Sequence, residues 1–516
     1  MRRTESVVGR VASQSRRAKS TIGALVVVVL ALGALQGSGA VTTPLSFDSV
    51  VFKSAGGEPA IAISPSGKTM IVAGLGPESP AALYRSTDYG KTFTKLAPEF
   101  PMTGGSDWDM YMLDDNTVVA ADLALQDGIY VHRSSDAGNT WSTSKIQTDI
   151  YDRPWLEHFG RDTVYVVAKG FDAIPYLFTS TDGGESFGTP AIPIIVYGTP
   201  LQPGGPSPTD AFATNLNAYA DHIAVDQKSG DVYVLYGIGE PSSYGPGQPL
   251  GASNKLYLAH LEDGQFVNYT VYDGAPEDSF ISGFNWLAVD GAGTLYALID
   301  GRIKGRHSAY LTVSKDKGKT WSTPVDLVPS GASNVFGAIA AESPGVLALA
   351  YIRGSLTDPA VDQPWFAEMA RITAADTATP QVTRTRPIAA PIHLQDICFD
   401  GIVCGVPGFG DDRNLLDYIW VGVDPSGKAY GIFSSDGPAT GGQSFETPDV
   451  LVLRQRSSLI TTVPKPAAAR PRVGGKKTTR GGAGLPNTGV GDPWALGAAL
   501  TVCAAGLGVR LRRSAR

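Results

Sequence analysis

The chain has 516 residues, a formal net charge of −7, 61 glycines, 36 prolines and three cysteines. The charge is segregated: residues 1–40 carry +5 and residues 464–516 carry +9, which leaves −21 on the stretch 41–463. A body that acidic repels phosphate, which excludes nucleic acid as the main partner, and glycine and proline spread along the chain suit many short strands joined by turns.

In chain order, a basic region (Arg2, Arg3, Arg10, Arg16, Arg17, Lys19) precedes an apolar run from Ile22 to Leu35, and the small residues Ser38 and Ala40 follow. That is the layout of a secretory signal peptide cut after Ala40, and so short a run falls below the length of a membrane span. Residues 1–40 are read as a signal peptide and 41–460 as the body. An exported body holding two cysteines six residues apart, Cys398 and Cys404, predicts one small disulfide loop. Such a loop contributes about 2 kcal/mol in the chain-entropy picture. A metal site there would lack further cysteines or paired histidines nearby.

Within the body, apolar strand, polar turn, apolar strand recurs seven times. The copies are Ala60 to Leu75, Met110 to Leu123, Trp155 to Gly170, Ile223 to Ile238, Trp286 to Asp300, Ala338 to Ile352 and Ile419 to Phe433. Their turns carry Asp, Ser, Pro, Asn and Gly while their strands carry β-branched and aromatic residues, which is the signature of a hairpin. A second unit, Ser-x-Asp-x-Gly-x-Thr/Ser-aromatic, occurs at Ser86 to Phe93, Ser134 to Trp141, Ser180 to Phe187 and Ser314 to Trp321. In each, the aspartate (Asp88, Asp136, Asp182, Asp316) can accept bonds from backbone N–H groups just ahead of it. The glycine supplies a positive φ, and the aromatic packs under the turn.

This second unit resembles the Asp-box, or BNR repeat, of the sialidase-like β-propellers. The resemblance implies an all-β propeller of four-stranded blades in which the box joins the third and fourth strands, on the outer rim and away from the ligand face. The four box aspartates are then structural. The first three lie 48 and 46 residues apart, the length of one four-stranded blade. Insertions at Pro190–Asp210 and Gly237–Ser253 stretch the interval to Asp316. Seven hairpins predict seven blades, with the six of the sialidases as the alternative. Blade four keeps only a worn turn at Leu261–Phe266, and blade six has no box, its outer strands being WFAEMARIT and QVTRTRPI. In the last blade, Leu451–Arg456 forms the third strand and the early segment Leu45–Phe52 fills the fourth place, closing the ring.

Residues entering the innermost strands crowd the central mouth of a propeller, and here they are rich in acids, Trp and Arg. The candidate ligand rim is Trp108, Asp152, Trp155, Trp286 and Asp412: aromatic faces beside charged groups suit a sugar or peptide. The sialidase resemblance implies a three-arginine clamp, a Tyr nucleophile with a Glu partner, and an Asp acid/base. Candidate counterparts are Asp107, Asp109, Arg153, Arg302, Arg306, Arg413, Tyr418 and Glu157, but residues 41–84, where the first clamp arginine belongs, contain no arginine. The six histidines show no metal-ligand spacing, and no cofactor is expected. Asp411, Asp412 and Asp417 could hold Ca²⁺, with solvated turn acids as the simpler reading.

After the body, residues 461–484 are rich in proline, glycine and basic side chains and predict a disordered, wall-spanning linker. Residues 485–516 read LPNTG, an apolar stretch from Trp494 to Val509, and four arginines. This resembles the sortase sorting signal of Gram-positive surface proteins. It implies a membrane-sorting helix, cleavage between Thr488 and Gly489, and covalent attachment to peptidoglycan by sortase. The expected protein is a secreted, wall-anchored, monomeric propeller that binds a glycan or protein at the cell surface. The alternative is an exo-acting glycoside hydrolase of sialidase type, and a third reading is a scaffold within wall assembly.

Overall fold

The computed structural model describes residues 45–75, 82–97, 105–124, 128–146, 150–170, 174–188, 190–195, 217–239, 254–280, 285–329, 331–397, 412–442 and 447–457. The leader, the linker, the sorting signal, Cys398, Cys404 and Asp411 lie outside them. Among the described residues there is no helix, and every sheet has four strands. The first strand in the chain is β1 (Phe47–Phe52). Blade 1 is β2 (Gly57–Ile63), β3 (Met70–Leu75), β4 (Ala82–Ser86) and β5 (Thr94–Lys95). Blade 2 is β6 (Gly105–Met112), β7 (Val118–Ala124), β8 (Gly128–Ser134) and β9 (Ser142–Ile146). Blade 3 is β10 (Ile150–Phe159), β11 (Thr163–Gly170), β12 (Pro175–Ser180) and β13 (Ile192–Pro193). Blade 4 is β14 (Asn217–Val225), β15 (Val232–Gly239), β16 (Lys255–Glu262) and β17 (Gln265–Asp273). Blade 5 is β18 (Trp286–Val289), β19 (Leu295–Ile303), β20 (Arg306–Ser314) and β21 (Val325–Asp326). Blade 6 is β22 (Asn334–Ser343), β23 (Val346–Arg353), β24 (Phe366–Thr373) and β25 (Gln381–Thr385). Blade 7 is β26 (Trp420–Val423), β27 (Ala429–Ser435) and β28 (Asp449–Gln455), completed by β1.

The molecule is therefore a seven-bladed propeller, with the inner hairpins where the strand pattern puts them. Strands β3, β7 and β27 are apolar without alternation because both their faces are covered by neighbouring blades. The outermost strands β5, β13 and β21 are two residues long, which leaves little unpaired edge. Ring closure is antiparallel pairing of β1 with β28, from Phe47 opposite Gln455 to Phe52 opposite Val450. Ion pairs fasten it: Arg454 and Arg456 to Asp48 at 2.5 and 2.6 Å, and Lys53 to Asp449 at 2.9 Å.

The four aspartate turns join the third and fourth strands of blades 1, 2, 3 and 5. In blade 2, Asp136 accepts from the Thr140 N–H at 2.8 Å and from the Thr140 hydroxyl at 2.7 Å, while Ser134 Oγ accepts from the Gly138 N–H at 2.8 Å. The same bonds recur around Asp88, Asp182 and Asp316. Two consecutive residues take positive φ in every copy (Tyr89–Gly90, Ala137–Gly138, Gly183–Gly184, Lys317–Gly318), one more than the glycine alone predicts. The second of them packs on the preceding blade: a Cβ on Gly138 would meet Leu96 at 2.8 Å, and one on Gly318 would meet Leu258 at 2.0 Å. The turns are thus both self-contained and docking points between blades.

Candidate functional site

The innermost strands enter the hub through irregularities that repeat. Register shifts interrupt the first strand of five blades, in blade 4 at Ala220/His222 and in blades 1, 2, 3 and 6, where two residues are bulged, at Gly57/Ala60, Ser106/Asp109, Asp152/Trp155 and Val335/Ala338. In the last four the first bulged residue is left-handed: Glu58 (φ 44), Asp107 (φ 53), Arg153 (φ 20) and Phe336 (φ 53). A positive φ on a non-glycine residue costs of order 1–3 kcal/mol and persists where the surroundings enforce it. Three of these four positions carry ionisable side chains, and all three meet in the mouth.

The side chains of the mouth fall into three groups by burial and contact. Least buried are Asp107 and the pair formed by Arg413 and Asp417, in which Arg413 Nε donates to Asp417 Oδ1 at 3.0 Å. More deeply buried are Glu58, Arg153 and Tyr418, which are 4, 3 and 2 % exposed. Arg153 Nη1 donates to the Tyr418 hydroxyl at 2.8 Å, a contact that reaches from blade 3 to blade 7. Its guanidinium lies 3.8 Å from the Trp155 ring and 4.0 Å from the Tyr418 ring, and the two rings are tilted to each other. The floor is aromatic: His222 packs on Trp155 and Trp286 at 4.8 and 4.5 Å, and Trp286 meets Trp420 edge to face at 4.9 Å.

The electrostatics follow from this burial. Burial first, and then the charges of Asp107 and Asp417, push the Glu58 carboxyl well above the usual range despite Arg153 and Arg413. Burial likewise raises the Tyr418 phenol well above its usual value, with Arg153 opposing. Asp109 goes up to about 7 through burial, against Arg153 and the Leu156 N–H that it accepts at 2.7 Å. His222 falls to about 3, through burial and then Arg153. The mouth thus places a carboxyl and a phenol whose ionisation burial opposes beside two guanidinium groups.

The predicted residues divide accordingly. Asp107, Arg153, Arg413 and Tyr418 come together. Asp109 lies beneath them as a staple between blades 2 and 3. Trp155 and Trp286 lie in the floor at 0 and 3 % exposure, so they shape the hub from below where a rim position was expected. Trp108 is also buried, stacked on His132 within blade 2 at 5.4 Å, because the bulge turns it into its own sheet. Asp152 sits in β10 opposite Lys169. Arg302 and Arg306 stand apart on the β19–β20 hairpin, where Arg306 pairs with Asp326 at 3.3 Å. Glu157 faces Tyr111 and the His158 N–H, so it is not the partner of Tyr418; Glu58 is the glutamate whose charge bears on that phenol. Asp412 and Asp417 do not share a calcium site: Asp417 is held by Arg413, and Asp412 faces His393 and Asp436.

Sequence reasoning missed Glu58, Trp420 and the interblade carboxylates. Asp221 accepts from the Asn285 N–H at 3.2 Å, and Asp300 from the Gly337 N–H at 2.9 Å, each joining one blade to the next. Burial pushes Asp221 up to about 8. The signal for Glu58 was its place: Gly-Glu-Pro ahead of an inner strand aligns with Ser-Asp-Trp and Asp-Arg-Pro.

No protein-family profile matches the chain, and no curated protein does. Solved structures do resemble it. YCF48 bound to a D1 peptide matches at 10 % identity with a TM-score of 0.45, over 80 % of this chain and 97 % of that one. A GH74 xyloglucanase from Xanthomonas campestris matches at 15 % identity with a TM-score of 0.41, over 79 % of this chain and 55 % of that one. A Hadza microbial sialidase matches at 10 % identity with a TM-score of 0.39, over 74 and 73 %. Similarities this distant assign no activity to the chain.

Proposed function

We propose that the mouth is a binding site for a small polar ligand of the carbohydrate class, carried by a propeller displayed outside the cell. The observation that carries this reading is the convergence of Glu58, Asp107 and Arg153, delivered by three strained bulges, on Arg413 and Tyr418 of the last blade. Strain retained at one end of the hub is what a preorganised site requires. The carboxyl and the phenol supply donors and acceptors to hydroxyls, the guanidinium groups supply paired donors to a carboxylate or ring oxygen, and the aromatic floor excludes water. The leader and LPNTG motif support a wall-linked form joined through Thr488 to peptidoglycan. A glycan array probed with the purified chain tests the ligand class; a saccharide signal lost in Glu58→Gln supports the site, and silence across the array favours a scaffold instead. Replacing Thr488 by Ala should move the protein out of the covalently bound wall fraction.

A second reading, exo-acting glycoside hydrolysis of sialidase type, is favoured by one observation: burial and neighbouring carboxyls push the Glu58 carboxyl upward, the direction that suits a general acid. Against it, burial raises the Tyr418 phenol well above its usual value, which disfavours ionisation to a nucleophile although its hydroxyl accepts from Arg153 Nη1. Turnover of a fluorogenic sialoside that disappears in Tyr418→Phe would establish hydrolysis in place of binding.

A further inference from the structure

Where blade 6 passes to blade 7, three residues far apart in the sequence converge. His393 follows β25, Asp412 precedes β26 and Asp436 follows β27, and one ligand atom from each lies within 4.8 Å of the other two. All three are buried. Asp436 is fully used: its Oδ1 faces His393 Nδ1 at 2.7 Å, and its Oδ2 accepts from Asn414 Nδ2 at 2.6 Å. His393 Nε2 faces the Asp396 carbonyl at 3.1 Å, which fixes the ring plane. Asp412 is only half used. Its Oδ1 accepts from the Asn414 N–H at 2.7 Å, whereas its Oδ2 meets no hydrogen-bond donor among the described residues, although the residue is only 8 % exposed.

A carboxylate oxygen taken out of water without a partner costs several kcal/mol, so a buried one marks a place where a cation belongs. We infer that His393, Asp412 and Asp436 form a site for one divalent cation of the zinc or manganese class, which ties the 412–418 segment to blades 6 and 7. An imidazole with two carboxylates suits these borderline ions better than calcium, which takes oxygen ligands alone. An ion about 2.1 Å from each ligand requires His393 Nδ1 and Asp436 Oδ1, now 2.7 Å apart, to part slightly and Asp412 to draw in, shifts of about 1 Å or less. On uptake the ion takes the place of the Nδ1 proton, which leaves to solvent, and Asp436 Oδ1 exchanges that proton for the metal. The site is structural and shares no side chain with the mouth, so it stands whether or not a saccharide binds.

The test uses the full chain stripped with chelator and titrated with ZnCl₂, MnCl₂ or CaCl₂ by calorimetry, with melting followed in parallel. One Zn²⁺ or Mn²⁺ per chain and a higher melting temperature are expected. Asp412→Asn keeps the acceptor for the Asn414 N–H and should fold, yet bind at least tenfold more weakly; His393→Gln should do the same. Binding of no ion at one per chain, or equal uptake by wild type and both variants, overturns the inference and leaves a protonated Asp412 beside a His393–Asp436 ion pair.

Discussion

The rim and the mouth of this propeller solve opposite problems with the same side chains. At the rim, Asp88, Asp136, Asp182 and Asp316 each satisfy themselves within four residues, and the same bonds appear four times. At the mouth, Glu58, Asp107, Arg153 and Tyr418 come from blades 1, 2, 3 and 7, and the Arg153–Tyr418 contact spans 265 residues. The rim carboxylates are held below their usual range. In Asp88, burial works upward, but the Thr92 hydroxyl and N–H and the Ser86 hydroxyl outweigh it and bring the group to about 2. The buried Glu58 and Asp109 are held above theirs. Repetition at the rim serves the fold, and asymmetry at the mouth is where chemistry can be built.

The largest effect should come from the seam that makes both regions possible. Deleting residues 45–52 removes β1 and its pairing with β28, leaving an exposed edge on blade 7; loss of cooperative melting and a shift to aggregates by light scattering are expected. Next, Gly318→Ala forces a Cβ onto Leu258 at a positive φ and should cost about 3 kcal/mol by urea denaturation. The same substitution at Gly264, with nothing within 4 Å, carries only the φ penalty of roughly 1 kcal/mol. At the mouth, Arg153→Ala breaks a buried charged contact and should cost about 3 kcal/mol while abolishing saccharide binding. Asp136→Ala removes rim bonds only: about 1–2 kcal/mol lost, with binding unchanged.

The smallest effect concerns acid. The rim aspartates have folded pKa values below the unfolded value of about 3.9, so their contribution is complete above pH 4 or so and lost as pH falls towards about 2. The melting-temperature gap between wild type and Asp136→Ala should therefore close over that window. A gap that widens on acidification would contradict the hydrogen-bond assignment.

What the sequence revealed divides along the same line. The aspartate turns and the seven inner hairpins were legible because their bonds are local and their residue types are dictated by φ and by two-sided burial. The place of Leu45–Phe52 in the last blade followed from counting strands, since blade 7 lacked one. Trp108, Trp155 and Trp286 were placed on the rim because spacing marks the entry of an inner strand without revealing which way a bulge turns the side chain. Glu58 escaped notice because its partners, Arg153 and Arg413, are contributed by other blades, and the His393–Asp436 contact spans 43 residues. Such constellations exist only once the ring has closed.

The most direct test of the account titrates one saccharide hit from the array against three proteins by calorimetry: wild type, the mouth variant Arg413→Ala and the rim variant Asp136→Ala. The account predicts one site per chain, lost in Arg413→Ala and kept in Asp136→Ala. Undiminished binding in Arg413→Ala, or its loss in the rim variant alone, would place recognition somewhere other than the hub.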